Sequence, residues 1–97
     1  MGEPTTFEEA CRLTAQEIAE LVISKQKDYG QANILDFGEF GVLVRTNDKV
    51  ARLKNLFREK KAPRNETLDD TWKDTAGYSI VALMVRRNWF TLPLGEE

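Results

Sequence analysis

Asp70-Thr71-Trp72-Lys73-Asp74-Thr75-Ala76-Gly77-Tyr78-Ser79-Ile80-Val81-Ala82-Leu83-Met84-Val85 decides the fold. The run contains no proline, and its apolar end, Ile80 to Val85, is long enough to anchor a helix in a core. Asp70 and Asp74 are then one turn apart on one face, about 6 Å apart at Cβ. A carboxylate pair on a helix that is anchored in a core is costly unless a cation or a strong donor compensates it. Mg²⁺ is held by one or two carboxylates together with substrate phosphates, so the pair points towards nucleotide handling. The plain alternative is that acids in a first turn complement the helix dipole. Asp69 and Asp70 fit that explanation, whereas Asp74 sits past the first turn, where the benefit has faded.

Upstream, Thr67 is placed to cap this helix, with Asp70 at the capping-box distance, and Ala62-Pro63-Arg64-Asn65 reads as a turn. Before the turn, Leu43, Val50, Leu53 and Phe57 form the stripe of a helix that starts at Glu39 or Thr46 and ends near Lys60. The segment Gly30 to Gly41 reads as a long structured loop, pinned to the core by Phe37 and Phe40. The first helix is expected from Phe7 to about Lys27, with Phe7, Cys11, Thr14, Ile18, Leu21 and Val22 at helical spacing. Thr6 with Glu9, or equally Thr5 with Glu8, matches a capping box. Gly30 is placed for a left-handed cap. After Arg87 comes an apolar tail, Trp89 to Leu94, and Glu96-Glu97 are expected to fray. The fold class is all-α: three main helices in one domain over residues 1–97, with a long loop after the first, and a bundle completed by oligomerisation.

A chain of 97 residues buries only about two-thirds of its unfolded surface, so a partner subunit would help it enclose a pocket. The net charge of −2 supplies no field that draws nucleic acid or an anionic membrane, and direct nucleic-acid binding is not expected. One cysteine and no histidine exclude a disulfide framework, a His/Cys zinc site and Ser–His or Cys–His catalysis. Any chemistry falls to carboxylates, lysines and arginines. No apolar leader or span of about 20 residues is present, so a cytoplasmic protein is expected, in the host cytoplasm if phage-encoded.

Two further groups invite a chemical reading. Asp48, Arg52 and Asn55 form a stripe on the second helix, with Lys49 beside it. The stripe is either a solvated face with an ion pair worth a few tenths of a kcal/mol, or a site where Asp48 joins Asp70 and Asp74 on a metal while Lys49 and Arg52 meet phosphate. At the end of the first helix, Lys25, Lys27, Tyr29 and Asn33 combine charge, a stacking ring and an amide, as a nucleotide requires. Basic residues there also complement the dipole. Gly77 costs about 1 kcal/mol inside a helix, which either close packing or room for a ligand would explain. Trp72 and Tyr78 read as core or interface. Glu17 and Glu20 form a short E-x-x-E pair that chance often produces.

Lys27-Asp28-Tyr29-Gly30, Asn33-Ile34, Phe37 to Arg45, Asp48 to Leu56 and Asp70 to Tyr78 together resemble the nucleotide-modification-associated domain of phage and bacterial proteins. The resemblance covers about residues 25 to 94. That family is thought to be related to the MazG-like all-α nucleoside triphosphate pyrophosphatases. The resemblance implies a dimeric or tetrameric helical enzyme that uses Mg²⁺, with Mn²⁺ as a substitute, to cleave a nucleotide to NMP and pyrophosphate. MazG-like metal ligands follow E-x-x-E and a later E-x-x-D. Here the later motif would place its acid at Thr71, and Asp70 is one residue out of step. The earlier pair is either Glu17 with Glu20, or Glu39 with Asp48. The expected activity is (deoxy)nucleoside triphosphate pyrophosphohydrolysis. Asp48, Asp70 and Asp74 would hold the metal, with Glu39 as a further catalytic acid. Lys27, Tyr29, Asn33, Lys49, Arg52 and Asn55 would contact the nucleotide. A non-catalytic nucleotide-binding module and a purely structural adaptor are the alternatives.

Overall fold

The Glu9 amide donates to Thr6 Oγ1 at 3.1 Å, and the Glu9 carboxylate accepts from the Thr5 amide at 3.2 Å. Two amides at the helix start are thus satisfied by a local sequence signal. This cap opens α1, Phe7–Tyr29, in a computed structural model that describes residues 2–59 and 65–95. After α1 come the short α2, Ala32–Leu35, then α3, Gly38–Arg58, and α4, Asn65–Arg86. The described residues form three long helices and one short one, with no strand. Ala62-Pro63-Arg64 and Glu96-Glu97 lie outside the described residues.

Gly30 closes α1 at φ 71° and ψ −169°, with its amide on the Gln26 carbonyl at 3.0 Å. The φ is positive as expected, but this ψ belongs to a region only glycine occupies freely, not to the left-handed helix. The expected loop is largely helical: α2 forms within it, and α3 begins at Gly38. Phe37 and Phe40 do not pin it, being 70% and 73% exposed. Once Val42 faces inward, a period of 3.6 residues turns Phe40 nearly to the opposite side of α3. Ile34 and Val42 make the inward contacts instead. Thr67 is no cap, since α4 already runs from Asn65; its carbonyl accepts the Thr71 hydroxyl at 2.7 Å.

Helix α4 is the centre of the fold, packing along α3 and more briefly against α1. Two ion pairs, Glu39–Arg86 and Lys49–Asp74, show that α3 and α4 are antiparallel. Where α1 crosses α4, a Cβ on Gly77 would lie 3.3 Å from Val22 Cγ2, so the glycine permits the close approach. Among the described residues the buried apolar side chains are Ile18, Val42, Leu53, Leu56, Val81 and Phe90; Val42, Val81 and Phe90 cluster together, with Val22, Ile34, Tyr78 and Val85 packed around them. The stripe of α1 buries only from Ile18 onwards, and Phe7, Cys11 and Thr14 stay exposed.

The tail is not a loose apolar segment. Trp89 N donates to Met84 O at 2.9 Å and Asn88 N to Val85 O at 3.2 Å, the paired bonds of a Schellman ending, with Asn88 at φ 60°. The chain thereby reverses and Phe90 enters the core, while Trp89 stays half exposed beneath the Arg87 guanidinium, 5.2 Å from the ring centre. Asn tolerates this backbone less well than glycine. Asn88→Gly is therefore expected to raise stability by about 0.5–1 kcal/mol, read as a higher urea midpoint at unchanged slope.

Candidate functional site

Helix α4 presents Asp74, Gly77, Tyr78 and Val81 to the space between α1 and α3. Leu21, Val22, Lys25, Gln26 and Tyr29 enclose it from α1, Ile34 from α2, Arg45 from α3 and Phe90 from beyond α4, giving a cavity of about 270 Å³. Its floor is apolar and its rim carries two cationic side chains, an aromatic ring and one carboxylate. Ligand sites are commonly built this way, with an apolar body and a few convergent polar groups.

Asp74 is the hinge of the arrangement. Lys49 Nζ from α3 stands 3.0 Å from Oδ2, and Lys25 Nζ from α1 stands 3.4 Å from Oδ1. Burial pushes the Asp74 carboxyl up, but the hydrogen bond from Lys49 and the nearby charges of Lys25 and Lys49 outweigh it, and the group titrates below its ordinary 3.8. The compensation a half-buried carboxylate requires is thus supplied by two ammonium groups. A carboxylate with a depressed folded-state pKa adds stability above its unfolded value, and the addition disappears as pH falls through the folded value. Asp74→Asn is therefore expected to flatten the loss of urea stability between about pH 5 and pH 2, leaving a shallower acid limb than in the parent.

Two further concavities flank the cavity. One shares Lys25, Leu21 and Asp74 with it and adds Glu17 and Glu20 from α1 and Asp70 and Lys73 from α4. Lys73 bridges Glu17 at 2.6 Å and Asp69 at 3.1 Å, and the hydrogen bonds to Glu17 and Asp69 raise its pKa. The other shares Arg45 and Tyr78 with the cavity and adds Asp48, Lys49 and Arg52. An acid-lined groove, an apolar cavity and a mainly basic hollow therefore form one continuous arc.

The sequence-derived residues distribute along this arc unevenly. Asp70 and Asp74 share the acid-lined groove, as their spacing requires. Asp48 lines the basic hollow instead, with Lys49 and Arg52. Among the described residues no three acids stand close enough together to enclose a metal ion, so Asp48, Asp70 and Asp74 are not assembled as one cluster. Tyr29 lines the cavity. Lys27 and Asn55 are exposed and line none of the three hollows. Glu39 is committed elsewhere: Arg86 Nη1 donates to both its oxygens at 2.9 and 3.0 Å, bracketing the ends of α3 and α4. The side chain of Asn33 lies outside the described residues. Arg45 went unnoticed in the sequence, where a single arginine after Val44 gives no local signal. Glu17 and Glu20 gave only a short motif, and their position opposite Asp70 is a product of the helix crossing.

The family model for nucleotide modification associated domain 1 matches residues 25–85, more than half of the chain. The chain belongs to this family. The matched segment of the nucleotide modification associated domain contains Lys25, Lys49 and Asp74, the whole two-lysine clamp, together with Arg45, Arg52 and Asp70. Glu17, Glu20 and Phe90 lie outside it. No curated protein and no solved structure matches the chain. No helix among the described residues is long and apolar enough to cross a membrane.

Proposed function

We propose that the arc binds a (deoxy)nucleoside triphosphate and that the domain is a MazG-like, Mg²⁺-dependent pyrophosphohydrolase releasing NMP and pyrophosphate, in phage nucleotide metabolism or base modification. The observation that carries this reading is the junction at Asp74 and Lys25, where an apolar cavity sized for one base or nucleoside meets a groove lined by four carboxylates. The base and sugar occupy the cavity, with Tyr29 stacking at its mouth. Lys25, Arg45, Lys49 and Arg52 face the phosphates as charge-assisted donors.

Among the described residues no three acids stand close enough to enclose a cation by themselves, so a Mg²⁺ in the acid-lined groove would be held by one or two of Glu17, Glu20, Asp70 and Asp74 together with the phosphates of the nucleotide. Such an ion, Mg²⁺ or Mn²⁺, would supply neutralisation of phosphate charge and a more acidic water. Lys25 and Lys49 hold Asp74, and Lys73 holds Glu17, in ion pairs, and an arriving triphosphate offers the lysines a stronger anionic partner. Asp74, at the junction of cavity and groove, would then orient a proton of the attacking water.

The neutralised state of Asp74 also favours a second reading, a nucleotide-binding module without turnover. A screen of all common nucleotides with Mg²⁺, read by thermal shift and followed by product analysis, separates the two. Pyrophosphate release with matching NMP supports the enzyme; a shift of several degrees with no product supports the module. No shift and no product removes both.

A further inference from the structure

Leu21, Val22, Lys25, Gln26 and Tyr29 line the cavity along one stripe of α1, three and four residues apart. Leu21 and Val22 are apolar wall, Lys25 holds Asp74, and Tyr29 is the ring at the mouth. Gln26 has no such part. It stands one turn beyond Val22, the residue against Gly77, where an apolar wall would continue with another aliphatic side chain. The position is partly buried, while Ser24, Lys25 and Lys27 around it are exposed, so Gln26 is turned towards the protein.

The fold makes no use of its carboxamide. The Gln26 carbonyl accepts from the Gly30 amide at 3.0 Å, but among the described residues the side chain has no hydrogen-bond partner. Among the same residues no side-chain polar atom is both sealed from the surface and unpaired, so the carboxamide opens onto accessible space. A ligand that fills the cavity displaces water from this group and must offer replacements, since a buried amide left unpaired is penalised. A phosphate offers acceptors only. The hydrogen-bonding edge of a nucleobase offers an acceptor and a donor side by side, the complement of Nε2 and Oε1. The charged lining groups cannot provide that pair: Lys25 and Arg45 donate only, and the Asp74 carboxylate is already held by two lysines.

We infer that Gln26 is the base-reading residue of the site, its Nε2 donating to the edge of the base and its Oε1 accepting from it. The inference rests on the cavity taking the base, as proposed above, and names what selects that base. Tyr29 follows three residues later on the same face, so a single turn of α1 supplies a ring for the face of the base and a carboxamide for its edge. With the phosphates drawn to Lys49 and Arg52 and the base against Tyr29, one edge meets Gln26, and only a base whose donor and acceptor fall there satisfies both atoms. A bidentate carboxamide–base pair discriminates against a wrong base by roughly 5- to 150-fold. Gln26 also lies within the segment that the family model matches.

Calorimetry of the full chain with Mg²⁺ tests the inference, using the uncleavable α,β-methylene analogues of dATP, dGTP, dCTP and dTTP, and inorganic tripolyphosphate as a ligand without a base. The parent is expected to favour its best base over its worst by about fivefold or more. Gln26→Met, of similar length and helix propensity, should shrink that ratio to about twofold or less while binding tripolyphosphate as the parent does. Gln26→Glu accepts but does not donate, so it should reorder the bases. Adenine, cytosine and guanine, which carry amino donors, should gain roughly tenfold or more over thymine, whose single N–H is flanked by carbonyls. A base order unchanged in both variants overturns the assignment. So does tripolyphosphate binding that weakens in Gln26→Met as much as nucleotide binding, which would make the role structural. A changed preference between ribose and deoxyribose with the base order intact overturns it as well, by placing Gln26 on the sugar. A parent that binds neither nucleotide nor tripolyphosphate removes the nucleotide reading itself, whereas a parent that binds nucleotides in an order indifferent to Gln26 removes this inference alone.

Discussion

Phe90→Ala is expected to lose about 3–4 kcal/mol of stability, the largest effect of any single truncation in this domain. Phe90 is 5% exposed and shares the centre of the core with Val42 and Val81. Removing its ring forfeits the transfer energy and opens a void that α4 cannot close, because the chain is fixed by the Schellman bonds two residues earlier. A domain of 97 residues has roughly 5–15 kcal/mol in all, so the loss takes from about a fifth to most of it. Thermal unfolding monitored by circular dichroism should show a Tm lower by about 15 °C or more. Trp89→Ala is the contrast. That ring is half exposed beneath the Arg87 guanidinium, and its removal should cost about 1 kcal/mol or less. Equal losses in the two variants would contradict the burial described for Phe90.

Asp74→Ala is expected to lower pyrophosphate release by about 100- to 1,000-fold at saturating nucleotide, if the domain is the enzyme proposed. Asp74 stands at the junction of the cavity and the acid-lined groove, and no neighbouring acid lines both. Its loss also leaves the Lys25 and Lys49 ammonium groups without the carboxylate they share, at a cost of about 1–2 kcal/mol in stability. Activity is therefore measured at a temperature where circular dichroism shows the variant folded. Asp70→Ala should lose activity on a similar scale with a smaller cost in stability, since Asp70 is exposed. Asp48→Ala separates the metal set drawn from spacing from the arc seen in the structure. A loss for Asp48 as deep as for Asp74 would restore Asp48 to the metal set. A loss of less than about tenfold would keep it in the basic hollow.

Local signals carried much of the fold. Thr6 and Glu9 mark the start of α1 because the Thr6 hydroxyl accepts from the Glu9 amide and the Glu9 carboxylate reaches back to the Thr5 amide, all within five residues. The run from Asp70 to Val85 is a helix as its composition requires. The stretch from Gly30 to Gly41 was not legible. A helix of four residues has no periodicity to detect, and hydrophobicity alone does not say which way Phe37 and Phe40 face. That direction is fixed by Val42, whose burial depends on α4, far along the chain. Phe90 escaped for the same kind of reason: the backbone reversal at Asn88, not the apolar tail around it, aims one ring inward.

The site divides likewise. The placement of Asp74 beyond the first turn correctly raises the question of what compensates its charge. The answer, Lys25 from one helix and Lys49 from another, combines residues separated by long stretches of chain. Asp48 looked like a third metal ligand because it shares residue type with Asp70 and Asp74. Its angular position on α3 turns it towards Arg52 and Tyr78.

The inward turn of Phe90 has a consequence for how the polypeptide acquires its shape as it is made. Helices α1, α3 and α4 can each wind as soon as their own residues emerge, but the hydrophobic centre they surround stays open until position 90 has left the ribosome. Val42 and Val81 are solvent-wetted for that interval, a state prone to sticking. A fragment cut to residues 25–85 would remain in it permanently, lacking Ile18 and Val22 on one side and the closing ring on the other.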